Sequence, residues 1–284
     1  MRNLVIIIIS LLLLGITAQF LPPPGGVYSS CCNFPGSICN YIPVDSNFAP
    51  GTCTSYASFT GISCEVREYF MQQALNFAIE QEGSSCPFNV FSSVIVNHTG
   101  PSIADGIILC SGLNEFTTIS PFWHGEIAAI VNCSAIFNAL YGEVSSPLLW
   151  NGISLYTTAV SCPQCYSSQR WNKVGESVSG VTISELQNTG WYQILQEPAV
   201  IQQESNQCVF GNGTTSFQTR IINNVLESYL YPYFAWQFNA DAPCPGGCTR
   251  SDGFCVPAGK RGNYAYIEKL RGYAKIARKM MRAH

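Results

Sequence analysis

Two short stretches of this chain carry residues that could hold a metal ion and move a proton. HGEIAAI begins at His124, and SLYTTAVSCPQC ends at Cys165. Together they offer one imidazole, two thiols and one carboxylate. Catalytic zinc takes three protein ligands and keeps a fourth position for water. His124, Cys162 and Cys165 would supply those three ligands to Zn2+. Bound zinc lowers the pKa of water to about 7. Glu126, two residues beyond His124, would lean over the open position without binding the metal. It would take a proton from water and pass it to a departing amine.

That chemistry requires particular elements. Both sulfurs of C-P-Q-C reach one metal if Cys162 ends a strand and Cys165 opens a helix. His124 and Glu126 then need to share the first turn of another helix. The chain has three histidines: His98, His124 and His284. His98 lies inside a glycosylation sequon and His284 closes the sequence, which leaves His124 for a buried site. The plainer alternatives are a satisfied core histidine and a Cys162–Cys165 disulfide.

Composition sets the setting. Residues 1–18 read as a signal peptide, with Arg2 ahead of an apolar run from Leu4 to Leu14 and Ala18 before the cleavage point. The expected localisation is therefore secreted, and no later segment is long and apolar enough to be a transmembrane helix. Fourteen cysteines suit an oxidising compartment. Setting aside the two proposed ligands leaves twelve and up to six disulfides, with two alternatives for Cys110 and Cys133 of the core elements, a disulfide or simply buried thiols. Sequons at Asn97, Asn132 and Asn212 also fit the secretory route. Residues 259–284 hold eight Lys or Arg against one Glu, whereas the whole chain has net charge −3. The acidic body argues against a nucleic-acid partner.

Along the chain, residues 19–64 read as a cysteine-rich extension, 65–205 as the catalytic domain, and 206–284 as a helical, cysteine-rich extension ending in a basic helix. Helical spacing runs from Glu65 to Glu82 through Phe70, Ala74, Phe77 and Ala78. Strands are expected near 90–96 and 106–113, paired as an antiparallel hairpin across the Asn-His-Thr-Gly turn. A helix from His124 to about Leu140, a strand over 153–159, a short helix from Pro163 and a strand near 178–183 follow. That alternation implies parallel pairing and a three-layer α/β/α sandwich. Residues 217–238 read as an aromatic-rich helix, 242–256 as a Pro-Gly-Cys loop, and 264–282 as the basic helix.

Over roughly residues 65–200 the chain resembles the cytidine and deoxycytidylate deaminase superfamily. The similarity is nearest to its guanine deaminase and tRNA adenosine deaminase branch and to secreted fungal-type relatives. FMQQALNFAIEQ followed by Cys86-Pro87-Phe88 resembles the first helix and its entry to strand one. HGEIAAI resembles the H-x-E helix, and SLYTTAVSCPQC the P-C-x-x-C element. VSGVTISELQNTGWYQI resembles the strand and turn that close the domain. The resemblance implies a mixed five-stranded sheet between helices, a homodimer, and zinc-dependent hydrolytic deamination of a small nucleobase or nucleoside, with purines favoured. It implies His124, Cys162 and Cys165 as ligands and Glu126 as the catalytic proton shuttle. It further implies that Asn114, Gly125 and Phe88 bind substrate. The pattern departs before the histidine, where Ser120, Pro121, Phe122 and Trp123 replace a common D-P-T-A. It also departs before the first cysteine, where Val160 and Ser161 replace E-P.

Three readings remain open. One is an active secreted deaminase, and a second is a deaminase-like extracellular binding protein whose altered pocket no longer turns over. The third, a structural protein with Cys162 and Cys165 oxidised, leaves H-G-E unexplained. The intact Glu126 favours the first.

Overall fold

The computed structural model describes residues 50–54, 61–115, 120–141, 150–207, 218–259, 267–268, 270–272 and 275. The expected signal peptide, Cys31, Cys32, Cys39, Cys208 and the Asn212 sequon lie outside them.

The first helix, α1 (Cys64–Glu82), starts where the Ser63 side chain accepts the Val66 amide. It ends at Gly83, whose φ of 61° closes the last turn as an αL cap. Two strands follow, β1 (Ser92–His98) and β2 (Gly106–Leu113), paired antiparallel as their sequence pattern suggests. Next come α2 (Gly125–Tyr141), β3 (Ile153–Ala159), α3 (Pro163–Asn172) and β4 (Glu176–Val181). The order continues with α4 (Ile183–Thr189), α5 (Pro198–Gln207), β5 (Arg220–Ile222) and α6 (Glu227–Ala235). A hairpin of β6 (Cys248–Ser251) and β7 (Phe254–Pro257) ends the regular structure.

The main sheet is mixed and five-stranded, ordered β2-β1-β3-β4-β5. β1 runs antiparallel to β2 and β3, while β3, β4 and β5 are parallel. Every residue of β3 is buried, as a central strand covered on both faces requires. Alternation along the strands separates two cores. Val94, Val96, Tyr156 and Val178 pack with Phe70, Leu75, Leu230 and Phe234 of α1 and α6. Ile95, Ile153 and Leu155 pack with Ala129, Cys133 and Phe137 of α2. Helices therefore cover both faces, and the fold is the expected three-layer α/β/α sandwich.

Several expectations change. The fifth strand, Arg220–Ile222, comes from beyond residue 205, so the sheet closes with residues assigned to the C-terminal extension. Three residues give too little alternation to read, and the supposed helix over 217–238 shortens to Glu227–Ala235. The 242–256 loop contains the β6–β7 hairpin, turned at Asp252 and Gly253, both with positive φ. Of the two alternatives for Cys110 and Cys133, the disulfide holds, and it joins β2 to α2. Cys53–Cys64, Cys86–Cys248 and Cys244–Cys255 are also bonded. The second ties the β6 hairpin to the segment entering β1, and Gly51 adds a parallel bridge beside Ile222.

Candidate metal centre

β3 runs out at Ala159 and the chain turns through Val160 and Ser161 into α3. The Val160 amide donates to the Val181 carbonyl at 2.8 Å, which holds this exit against the end of β4. Cys162 is the N-cap of α3, with extended φ and ψ of −66° and 167°, and Pro163 takes the first helical position. Cys165 follows in the first turn. Across the sheet end, His124 precedes α2 and its carbonyl accepts the Ala128 amide. Two helix N-termini thus converge, a setting that favours thiolate over thiol.

Glycines let α2 approach this closely. A Cβ on Gly112 of β2 would collide with the Gly125 carbonyl and the Ala129 amide, and one on Gly125 would press on the Phe91 carbonyl. Gly125 is thus tightly constrained, and its packing holds His124 and Glu126 at the sheet end.

His124 Nδ1 lies 3.4 Å from each of the Cys162 and Cys165 sulfurs, and the sulfurs are 3.5 Å apart. Ligand atoms about 2.0–2.3 Å from one tetrahedral zinc stand roughly 3.5–3.8 Å from one another. Donor type and spacing therefore fit zinc. Cys162 and Cys165 are the free cysteines among the described residues, and each of the others there is in a disulfide.

The charges are coupled. A hydrogen bond with Cys165, opposed by burial and helped by the His124 ring, holds Cys162 down to about 4. Burial pushes the Cys165 thiol up. Burial works against a charged His124 ring, but bonding to Cys162 and the charges of Glu126 and Cys162 raise it overall. Glu126 is 6% exposed in the first turn of α2. Burial, then the nearby Cys162 charge, pushes its carboxyl up.

The structure thus gathers His124, Glu126, Cys162 and Cys165. Asn114 joins them through the backbone: its amide donates to Phe91, and the next residue, Glu115, donates to the Trp123 carbonyl at 2.9 Å. The Asn114 side-chain oxygen is buried and has no hydrogen-bond partner among the described residues. Asn89 donates to the Asn114 carbonyl at 2.5 Å. Phe88 sits in a different cluster, fully buried with its ring against Trp191 and Trp236. Core filling does not describe Phe122, which is 53% exposed. Its ring meets that of the half-buried Trp123 edge-on, and its carbonyl accepts from Gln164 of α3 at 3.3 Å. His98 Nε2 stands 3.0 Å from the Tyr156 hydroxyl, in the core between the sheet and α1. Ser161, beside Cys162, is buried and accepts a hydrogen bond from Gln169 Nε2 at 2.8 Å.

No protein-family model matches the chain, and no characterised protein matches it by sequence. Solved structures do match. A guanine deaminase from Nitrosomonas europaea is 15% identical with a TM-score of 0.43, covering 59% of this chain and 81% of its own. RibD from Acinetobacter baumannii is 16% identical with a TM-score of 0.38, covering 62% and 39%. A diaminohydroxyphosphoribosylaminopyrimidine deaminase and uracil-derivative reductase from Thermotoga maritima is 18% identical with a TM-score of 0.37, covering 61% and 40%. These identities are too low for site residues to be transferred.

Proposed function

We infer that this protein is a secreted, zinc-dependent hydrolytic deaminase of a nucleobase or nucleoside. One observation carries the reading. His124, Cys162 and Cys165 meet at a single point with both sulfurs unoxidised, while Glu126 stands buried beside them. A structural zinc site closes with four protein ligands, whereas three ligands and a neighbouring carboxylate suit a hydrolytic one.

His124, Cys162 and Cys165 would hold the ion, which when bound supplies an acidified water at neutral pH. Glu126 has the remaining work. It accepts a proton from the attacking water and delivers it to the amino group that leaves as ammonia. Burial that raises its carboxyl toward neutrality suits a group that must both take and give a proton. The orphaned Asn114 side-chain oxygen offers an acceptor for a ring N–H or amino group. Phe122 and Trp123 offer aromatic faces to a flat ring beside the site.

The lean toward purines rests on the sequence resemblance. Secretion is supported by the apolar run over residues 4–14 and by four disulfides among the described residues. The test is metal analysis combined with ammonia release from a panel of purine and pyrimidine bases and nucleosides. One zinc per chain with release from at least one purine is expected. Zinc without release from any of them would point to the deaminase-like binding protein.

A further inference from the structure

Asn89, in the segment leading into β1, is 8% exposed and takes no part in the chemistry above. Its Nδ2 donates to the Asn114 carbonyl at 2.5 Å. A backbone carbonyl only accepts, so the amide must present its N–H here and turn its oxygen elsewhere. That oxygen is buried without a hydrogen-bond partner among the described residues, and so is the Asn114 side-chain oxygen. Two unpaired acceptors thus belong to residues in direct contact. They lie at the end of the sheet that carries the metal-ligand group. β1 begins at Ser92 opposite Leu113, the last residue of β2, and Ser93 stands opposite Thr157 near the exit of β3. The Asn114 amide donates to the Phe91 carbonyl, and the Glu115 amide to the Trp123 carbonyl beside His124.

We propose that Asn89 is a specificity-determining residue of this site, its side-chain oxygen accepting one N–H of a flat nitrogen base whose neighbouring N–H goes to Asn114. The proposal rests on the reading of the site as one that takes a nucleobase. The fitting class is a base with two N–H donors side by side on one edge, as guanine has in N1–H and its 2-amino group. Three features support it. A buried acceptor left unpaired is costly, so two in contact are matched by donors that arrive with a ligand. The Asn89–Asn114 bond holds one residue against the other, which lets the pair select by spacing as well as by type. Both residues stand outside the metal-ligand set, so they can read the ring without disturbing the ion. A base with one donor on that edge leaves one oxygen orphaned, and sites built to hydrogen-bond an N–H reject such analogues strongly.

The experiment compares guanine with hypoxanthine, which keeps N1–H and lacks the 2-amino group. Dissociation constants are read by stopped-flow tryptophan fluorescence, ahead of any turnover, in the full, zinc-loaded chain and in its Asn89→Leu and Asn89→Asp variants. Zinc content and the unfolding midpoint are followed alongside. Wild type should bind guanine about 10–100-fold more tightly than hypoxanthine, the worth of one acceptor otherwise left buried and unpaired. Asn89→Leu, of similar size, should abolish that preference by weakening guanine while hypoxanthine and zinc stay unchanged. Asn89→Asp keeps an acceptor and gives up the N–H to Asn114, so it should retain the preference. Absence of the preference in wild type, its survival in Asn89→Leu, or equal weakening of both bases in both variants overturns the proposal. The last result would make Asn89 only a support for Asn114. Should Asn89→Leu fail to fold, Asn89→Asp decides alone: a kept preference supports the proposal and a lost one overturns it. The binding ratio does not depend on turnover. A wild type that shows it but releases no ammonia therefore fails the deaminase reading and leaves the role of Asn89 standing.

Discussion

Nδ1 of His124 lies 3.4 Å from Sγ of Cys162, although one residue precedes a helix on β2's side of the sheet and the other caps the helix after β3. Strand β1 alone separates β2 from β3, and the two helix starts meet at that end. The expected outcome is one zinc per chain. Cys162→Ser or Cys165→Ser should lose most of it, read by elemental analysis after dialysis. Because the ligands bind deprotonated, retention should also weaken as pH is lowered. A mass-mapped Cys162–Cys165 disulfide in the folded protein would rule the centre out.

Glu126 makes no part of that ligand set. Glu126→Ala should keep zinc and the unfolding midpoint while kcat falls about 10²–10⁴-fold, the range for a lost general acid–base. Loss of zinc in this variant would make Glu126 a ligand instead.

The pieces of the candidate site were legible because each is local. H-G-E fits within one helical turn, and C-P-Q-C spans one strand-to-helix turn with Pro163 marking its start. Alternation and apolar runs placed β2 and β3 at their observed bounds. What stayed hidden depends on distant partners. Three residues of β5 become a strand only because β4 lies beside them. Cys110 and Cys133 read equally as core thiols or a disulfide until β2 and α2 are packed together. The ring that Phe88 meets in Trp236 comes from the distant C-terminal segment. The β6–β7 hairpin differs, because its Asp252-Gly253 turn is a strong local signal.

On the face away from α2, Glu176 accepts hydrogen bonds from Arg67 at 3.0 Å, Arg220 at 3.1 Å and Ser154 at 2.7 Å. Burial alone would raise its carboxyl, but Arg67, Ser154 and Arg220 together bring it below the ordinary value of 4.5. A depressed folded value means that this contribution to stability is complete above pH 4.5. It should fade as pH falls from there through the lower, folded value. Arg67→Met should destabilise the fold by about 3–5 kcal/mol by leaving a buried carboxylate short of a partner. By letting the folded value rise toward 4.5, it should also shrink the stability that is lost as pH falls below 4.5. Denaturant titrations at pH 3–7 read both effects.

Cys86–Cys248 closes a sequence separation of 162 residues. Replacing both with Ser should lower stability by about 2–5 kcal/mol. Mass mapping of the native protein should return this bond, Cys53–Cys64, Cys110–Cys133 and Cys244–Cys255, with Cys162 and Cys165 alkylatable after zinc is removed. Finding most of those eight cysteines free would reject the oxidised, secreted state.

The basic C-terminal segment has two competing roles, docking on its own body or anchoring to an anionic surface. Ile267 and Leu270 are 4% and 1% exposed and pack in one cluster with Phe88, Trp236 and Val256. Glu268 and Arg271, between and beyond them, form an exposed ion pair. Apolar residues facing in and charged ones facing out is the pattern of a docked amphipathic helix. Residues 1–258, with six basic against sixteen acidic side chains, add electrostatic attraction for the eight basic residues that follow. Leu270→Ala should therefore destabilise the protein by about 2–5 kcal/mol, as for a buried leucine. Removing residues 260–284 should lower the unfolding midpoint and leave binding to phosphatidylserine vesicles no weaker than before. If the truncated protein keeps its midpoint and turnover but no longer binds those vesicles, the segment is an anchor and the docked role is wrong.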